Sequence, residues 1–333
     1  MERKGPVDLS TAKVISDTFF VSTSRIGVML LKPIRGFVLG RLLGPSLYGL
    51  LNIPVPYVNI FNILSNIGFN TSVIRLIPGY RQKGRADLAR MIYRSTALLT
   101  ITLSVIWSIL LLFCSRWIVG NLAHEPDAIN PMRAYALIKP FLAMNAFYAA
   151  AFLAFQRGKL RAAITAAHGI LNVLLPVLAI LWKRNVTIVI GGFLTAEAIG
   201  TVLFAVFFHR KILSGLSRTV GPLLRGMNEV FRFGILFFFA DLGWNMINSV
   251  DRLMVKYFLP VESYGFYSMA SLVITALTVA ASTAGVALVP SLTAAKESGD
   301  TRVFKKQIQN TARLGFIVLV PATAVIYVLT GDI

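Results

Sequence analysis

Four charged residues stand in one apolar stretch near the start of the chain: Asp17, Arg25, Lys32 and Arg35. A charge at bilayer depth is costly and normally faces a bundle interior or a wet cavity. Wound as an α-helix with Arg25 as origin, Lys32 falls at about −20° and both Asp17 and Arg35 at about −80°, one stripe roughly 90° wide. Three cations on one face suit an anionic ligand, because phosphate oxygens accept charge-assisted bonds from Arg and Lys. Lys32 and Arg35 have a second reading, in which their long stems carry the charge to the outer headgroups. Arg25, near mid-depth, does not snorkel easily.

Asp241, Asn245, Asn248 and Arg252 follow at i, i+4, i+7 and i+11, with Asp251 near the edge of their face. Asp241 is placed to bind a proton or Na⁺, or to pair with a cation that holds two bundles together. Asn52, Asn59, Asn66 and Asn70 share another face, with Asn62 beside them. Amides both donate and accept, which suits sugar hydroxyls or a water-filled cleft. Ser271, Thr275, Thr278 and Ser282 form a milder stripe, of the kind that joins membrane helices to one another. Lys139 and Glu197 each lie inside an apolar segment, either lining a cavity or finding a partner within one bundle. The histidines His124, His168 and His209 are scattered without metal-ligand spacing, and Cys114 is the single cysteine. No Gly-rich phosphate loop, HExxH motif or nucleophile set appears. The expectation is therefore a protein that is not an enzyme, with no catalytic residue, metal or cofactor.

The elements that carry these residues are membrane helices. The chain is 56% hydrophobic and 14% charged, with mean hydropathy +0.71, whereas soluble domains average about 25% charged. We read about nine spans of 20 or more residues, near 14–40, 48–74, 95–115, 132–155, 162–182, 186–208, 232–259, 264–289 and 308–329. The net charge of +19 then needs no nucleic acid. With the N-terminus inside, connections such as Arg75–Arg94 and Arg210–Arg232 put most of the Lys and Arg on the cytoplasmic side. The first ten residues lack the apolar core of a cleaved signal peptide. Pro33, Pro54, Pro56, Pro140 and Pro176 interrupt spans, as packing kinks or as bending points during transport.

The chain also repeats itself. Leu43-Gly44-Pro45-Ser46-Leu47-Tyr48-Gly49 returns as Leu259-Pro260-Val261-Glu262-Ser263-Tyr264-Gly265, between corresponding polar-lined helices. Repeated blocks of spans mark transporters, with the substrate site at the repeat interface. The expected organisation is an N-terminal bundle over 1–210 (spans 1–6), a basic cytoplasmic linker over 211–231, and the first half of a C-terminal bundle over 232–333 (spans 7–9). Nine spans fall short of two full six-span copies, so a fragment or a truncated copy is expected. The external loop Gly120–Met132, with His124, Glu125 and Asp127, is too small to argue for a membrane glycosyltransferase or polymerase.

Gly40-Arg41-Leu42-Leu43-Gly44-Pro45-Ser46-Leu47-Tyr48-Gly49 resembles the G-R-x-L-G-x-x-x-Y-G signature of polysaccharide-export proteins of the multidrug/oligosaccharidyl-lipid/polysaccharide (MOP) exporter superfamily. Asp251-Arg252, Tyr264-Gly265 and Val289-Pro290-Ser291 resemble that family too. The resemblance implies an all-α polytopic membrane protein of two pseudo-symmetric six-helix bundles in a V, here with the second incomplete. Helices 1, 2, 7 and 8 would line the cleft. It further implies flipping of a polyprenyl-diphosphate-linked glycan by alternating access in the inner, or plasma, membrane. Glycosyltransferases and a polymerase of the same pathway are then expected partners, beside the membrane lipids. Substrate binding would fall to Arg25, Lys32, Arg35, Asn52, Asn59, Asn66, Asn248 and Arg252. Ion coupling, to Na⁺ or protons, would fall to Asp241 and Asp17. The alternatives are a cation-coupled small-molecule antiporter of the same superfamily, which fits three cavity cations poorly, and a non-transporting partner in polysaccharide biosynthesis.

Overall fold

The computed structural model describes residues 30–213 and 222–278, with Gly27 and isolated positions between 305 and 324. Among the described residues everything regular is helical. Asp17, Arg25 and Ser282 lie outside them, as does nearly all of the expected ninth span.

Helix α1 covers 30–43. Three short helices follow: α2 (Pro45–Asn52), α3 (Pro54–Asn66) and α4 (Phe69–Gln82). Proline opens the first turn of α2 and of α3, where its missing N–H has no helical partner to lose. The α3–α4 break is made by Ile67 and Gly68, both left-handed at φ 39° and 68°. The long α5 (Ala86–Ile118) runs on into a π turn, Val119–Ala123, and a 3₁₀ turn at Pro126–Ala128 leads into α6 (Ile129–Ala154). Helices α7 (Gly158–Trp182), α8 (Val186–Lys211), α9 (Leu223–Ile247) and α10 (Val250–Phe258) follow, and α11 covers 261–278. Asn185 caps α8, its side chain accepting from the N–H groups of Thr187 at 2.9 Å and Ile188 at 3.4 Å. That satisfies donors that every helix start leaves orphaned.

Among the described residues, six segments are long and apolar enough to cross a membrane: Pro45–Gln82, Ala86–Ala123, Pro126–Ala154, Gly158–Trp182, Val186–Lys211 and Leu223–Phe258. They stand where the second to seventh spans were expected, and are longer. Helices α1 and α11 stand at the first and eighth. Helix α9 begins inside the stretch expected as a linker. Apolar side chains such as Trp182 (83% exposed) and Phe113 (81%) point outward, as they do when the surrounding solvent is lipid. The interior holds an aromatic core at one end, where the rings of Tyr93 and Phe208 stack at 4.7 Å beside Phe147, Phe152 and Phe204.

The sequence repeat is also a contact. The start of α11 lies on the start of α2, and each motif contributes its glycine. A methyl on Gly49 would stand 3.1 Å from the Gly265 nitrogen and 3.2 Å from its Cα. A methyl on Gly265 would stand 2.6 Å from the carbonyl carbon of Pro45. Tyr264 is fully buried there and donates its hydroxyl to the Asn52 carbonyl at 3.2 Å. The same end is tied by Lys256 to Glu125 at 3.7 Å and by the rings of His124 and Tyr257 at 5.2 Å.

Candidate functional site

Helices α1, α3, α6, α7 and α8 enclose a cavity of about 390 Å³. Its cations come from α1: Lys32, exposed, and Arg35, half-buried one turn on. Asn59 enters from α3, Tyr135 and Asn145 from α6, His168 and Asn172 from α7, and Glu197 from α8, while Leu31, Val58, Leu142 and Phe193 supply apolar wall.

The polar groups form one network. The Arg35 guanidinium donates from Nη1 to the Asn172 backbone oxygen and to its Oδ1, each at 3.3 Å. It lies over the Phe193 ring, 4.6 Å from the centroid. Asn172 donates to Glu197 Oε1 at 2.9 Å, and Asn145 donates to Oε2 at 2.7 Å. His168 Nε2 stands 3.2 Å from that same Oε2 and 2.8 Å from Asn172 Nδ2, so it serves one of the two at a time. The Thr201 hydroxyl lies 2.9 Å from both Asn145 Oδ1 and the Glu197 carbonyl and donates its single proton to one of them at a time. Glu197 is only 6% exposed. A carboxylate this deep is tolerated because both oxygens have donors.

The structure thus brings together Lys32, Arg35 and Asn59 of the residues picked out from spacing. The other described ones do not line this cavity, and Arg25 and Asp17 lie outside the described residues. Asn52 donates to the Tyr48 carbonyl at 2.8 Å, and Asn66 Oδ1 accepts from the Asn70 N–H at 3.4 Å. The asparagine stripe assumed an unbroken helix; the left-handed pair Ile67–Gly68 ends α3 and sets Asn70 apart from the rest. Asp241, Asn248 and Arg252 lie on α9–α10, away from the cavity lining. Asn248 ends α9, so the i, i+11 spacing to Arg252 does not keep one face. Asn245 and Asn248 donate back to the carbonyls of Asp241 and Trp244, at 2.8 and 2.6 Å. Asp251 accepts from the Tyr267 hydroxyl at 2.5 Å. Ser271, Thr275 and Thr278 likewise bond to their own helix, each at 2.8 Å.

Spacing did not single out Tyr135, Asn145, His168 or Asn172. A usable signal existed: His168/Asn172 and Glu197/Thr201 are i, i+4 polar pairs inside otherwise apolar spans, hence same-face neighbours. Of the two residues left open, Glu197 lines the cavity. Lys139 does not: it is 0% exposed, and its Nζ has no hydrogen-bond partner among the described residues.

A family model of polysaccharide biosynthesis proteins matches residues 14–296. The chain belongs to that family. It is 23% identical over 319 residues to a putative O-antigen transporter of Shigella flexneri, covering 89% of this chain and 69% of the relative. Among solved structures it is similar to an inward-facing multidrug resistance MATE family transporter of the MOP superfamily, at TM-score 0.68 and 13% identity over 93% of this chain and 74% of that one. It is also similar to a MOP superfamily transporter from Pyrococcus furiosus whose binding pocket is described as reversed in polarity, at TM-score 0.62 and 14% identity over 94% and 72%. The fold is therefore the MATE-like fold of MOP transporters, and the chain is a multi-pass membrane protein. Its relatives are transporters rather than enzymes.

Proposed function

We propose that this polysaccharide biosynthesis protein flips a lipid-diphosphate-linked oligosaccharide from the cytoplasmic to the outer leaflet of the inner, or plasma, membrane by alternating access. The observation that carries this is the pairing of Lys32 and Arg35 in one cavity with amide and phenol groups from α3, α6 and α7. A diphosphate offers several charged oxygens to two cations, and charge-assisted bonds to Arg and Lys are the strong ones. The amides and the phenol suit glycan hydroxyls, which both donate and accept. The cavity has the size of a small-ligand pocket, which fits a headgroup with the lipid chain left in the bilayer. Likeness to an O-antigen transporter and the family's own description support the same substrate class. On this reading Arg25 continues the cationic stripe, and Asp241 and Asp17 are the carboxylates for Na⁺ or proton coupling. The basic connections hold the N-terminus in the cytoplasm, and glycosyltransferases and a polymerase act on either side of the step.

The antiporter reading rests on Glu197, an acid in the same cavity. Both its oxygens already accept from protein donors, so a cationic drug would have to displace them.

The test is glycan export in cells lacking their own exporter, with protein level followed by blot. Lys32→Gln and Arg35→Gln should each lower export about tenfold or more, the worth of one charge-assisted bond. Unchanged export in the double variant would overturn the diphosphate site.

A further inference from the structure

A second cavity, of about 470 Å³, lies between α4 and the first half of α9. Arg225, Asn228, Glu229 and Arg232 line it at one end, and Phe233, Leu236 and Leu76 line the other. The α9 residues are spaced i, i+3, i+4, i+7, i+8 and i+11, so they share one face. From Arg225 to Leu236 that face is about 16 Å long. It changes along its axis from charged to apolar, as a lipid does from headgroup to chain.

The charge at the polar end is only partly cancelled from within, two guanidiniums standing against one carboxylate. Arg225, Asn228 and Arg232 are exposed, while the Glu229 carboxylate is engaged by the Tyr80 hydroxyl of α4. A third guanidinium, Arg75, lies 5.2 Å over the ring of Phe237, which packs on Phe233. At the apolar end Leu236 is 71% exposed, an open wall that in a membrane meets hydrocarbon.

We infer that this cavity binds an anionic, phosphate-headed membrane lipid, with the phosphate between Arg225 and Arg232 and the chain along Phe233, Leu236 and Leu76. Two lipids share that chemistry: an anionic phospholipid of the bulk bilayer and a polyprenyl phosphate carrier. The second source deepens the proposed function, as a waiting site outside the central cavity, and rests on that reading. Binding of a phosphate-headed lipid does not.

The experiment is native mass spectrometry of the purified chain with phosphatidylglycerol, undecaprenyl phosphate, phosphatidylcholine or inorganic pyrophosphate added separately. Retention of phosphatidylglycerol or undecaprenyl phosphate over phosphatidylcholine is expected, and which is held tighter names the source. The Arg225→Gln/Arg232→Gln variant should lose about a hundredfold in apparent affinity, roughly tenfold per cation. Phe233→Ala should weaken lipid without a matching loss of pyrophosphate. Lys32→Gln/Arg35→Gln should leave phosphatidylglycerol retention unchanged, which separates this site from the transport cavity. Equal retention by wild type and the double arginine variant would overturn the inference. Capture of pyrophosphate with no preference for lipid would overturn it as well.

Discussion

Gly265→Ala is the sharpest perturbation the structure offers. Its new methyl would overlap the Pro45 carbonyl oxygen, its nearest neighbour, and stand 2.6 Å from the Pro45 carbonyl carbon. Non-bonded carbons rest about 3.5–4.0 Å apart, so the starts of α2 and α11 must separate by more than about 1 Å. The obstacle is backbone in the first turn of a helix, with no rotamer to move aside. Overpacking of this kind costs about 1–3 kcal/mol, and the cost falls only on the arrangement in which the repeat motifs touch. A competing arrangement with the motifs apart gains about 5- to 150-fold in relative population. The lone Cys114 makes the assay clean: in a Cys114→Ala background, spin labels at Ser46 and Glu262, both exposed, report the separation of the two motifs. Gly265→Ala, and Gly49→Ala on the facing motif, should lengthen and broaden the distance distribution. Gly191→Ala, where a methyl meets nothing within 4 Å, should not. Were Gly265→Ala to keep the parent distribution, the contact would not hold the halves together.

Two further outcomes follow from the buried charges. Glu197→Ala strips Asn145, Asn172 and His168 of a shared acceptor and should destabilise the protein by about 3 kcal/mol, seen as a lower melting temperature in detergent. Lys139→Met replaces a fully buried amine that has no hydrogen-bond partner among the described residues with an apolar chain of similar length; it should stabilise by about 1–4 kcal/mol in the same melt and leave glycan export intact, and a loss of export would give Lys139 a direct role.

The membrane class, the helical fold and the repeat were legible before any coordinates. Hydropathy reports burial in lipid along the chain, and helix period turns spacing into a face as long as the helix is straight. That condition explains the site. Lys32 and Arg35 lie three apart in one uninterrupted helix, and their shared face survives in the cavity. The asparagine row crosses the left-handed break at Ile67–Gly68, and the Asp241–Arg252 row crosses the end of α9 at Ile247. Spacing was counted through both breaks as if the helices ran on.

What belongs to the sequence alone is therefore everything that depends on near neighbours: spans, prolines at helix starts, the twin Gly motifs and the α1 cations. What only the tertiary structure decided is which helices meet. Asn145, His168, Asn172 and Glu197 come from three helices, and their selection as one network depends on how α6, α7 and α8 pack. Packing also turned two distant copies of a motif into one contact, because glycine at both positions lets the backbones approach closely enough to exclude any side chain.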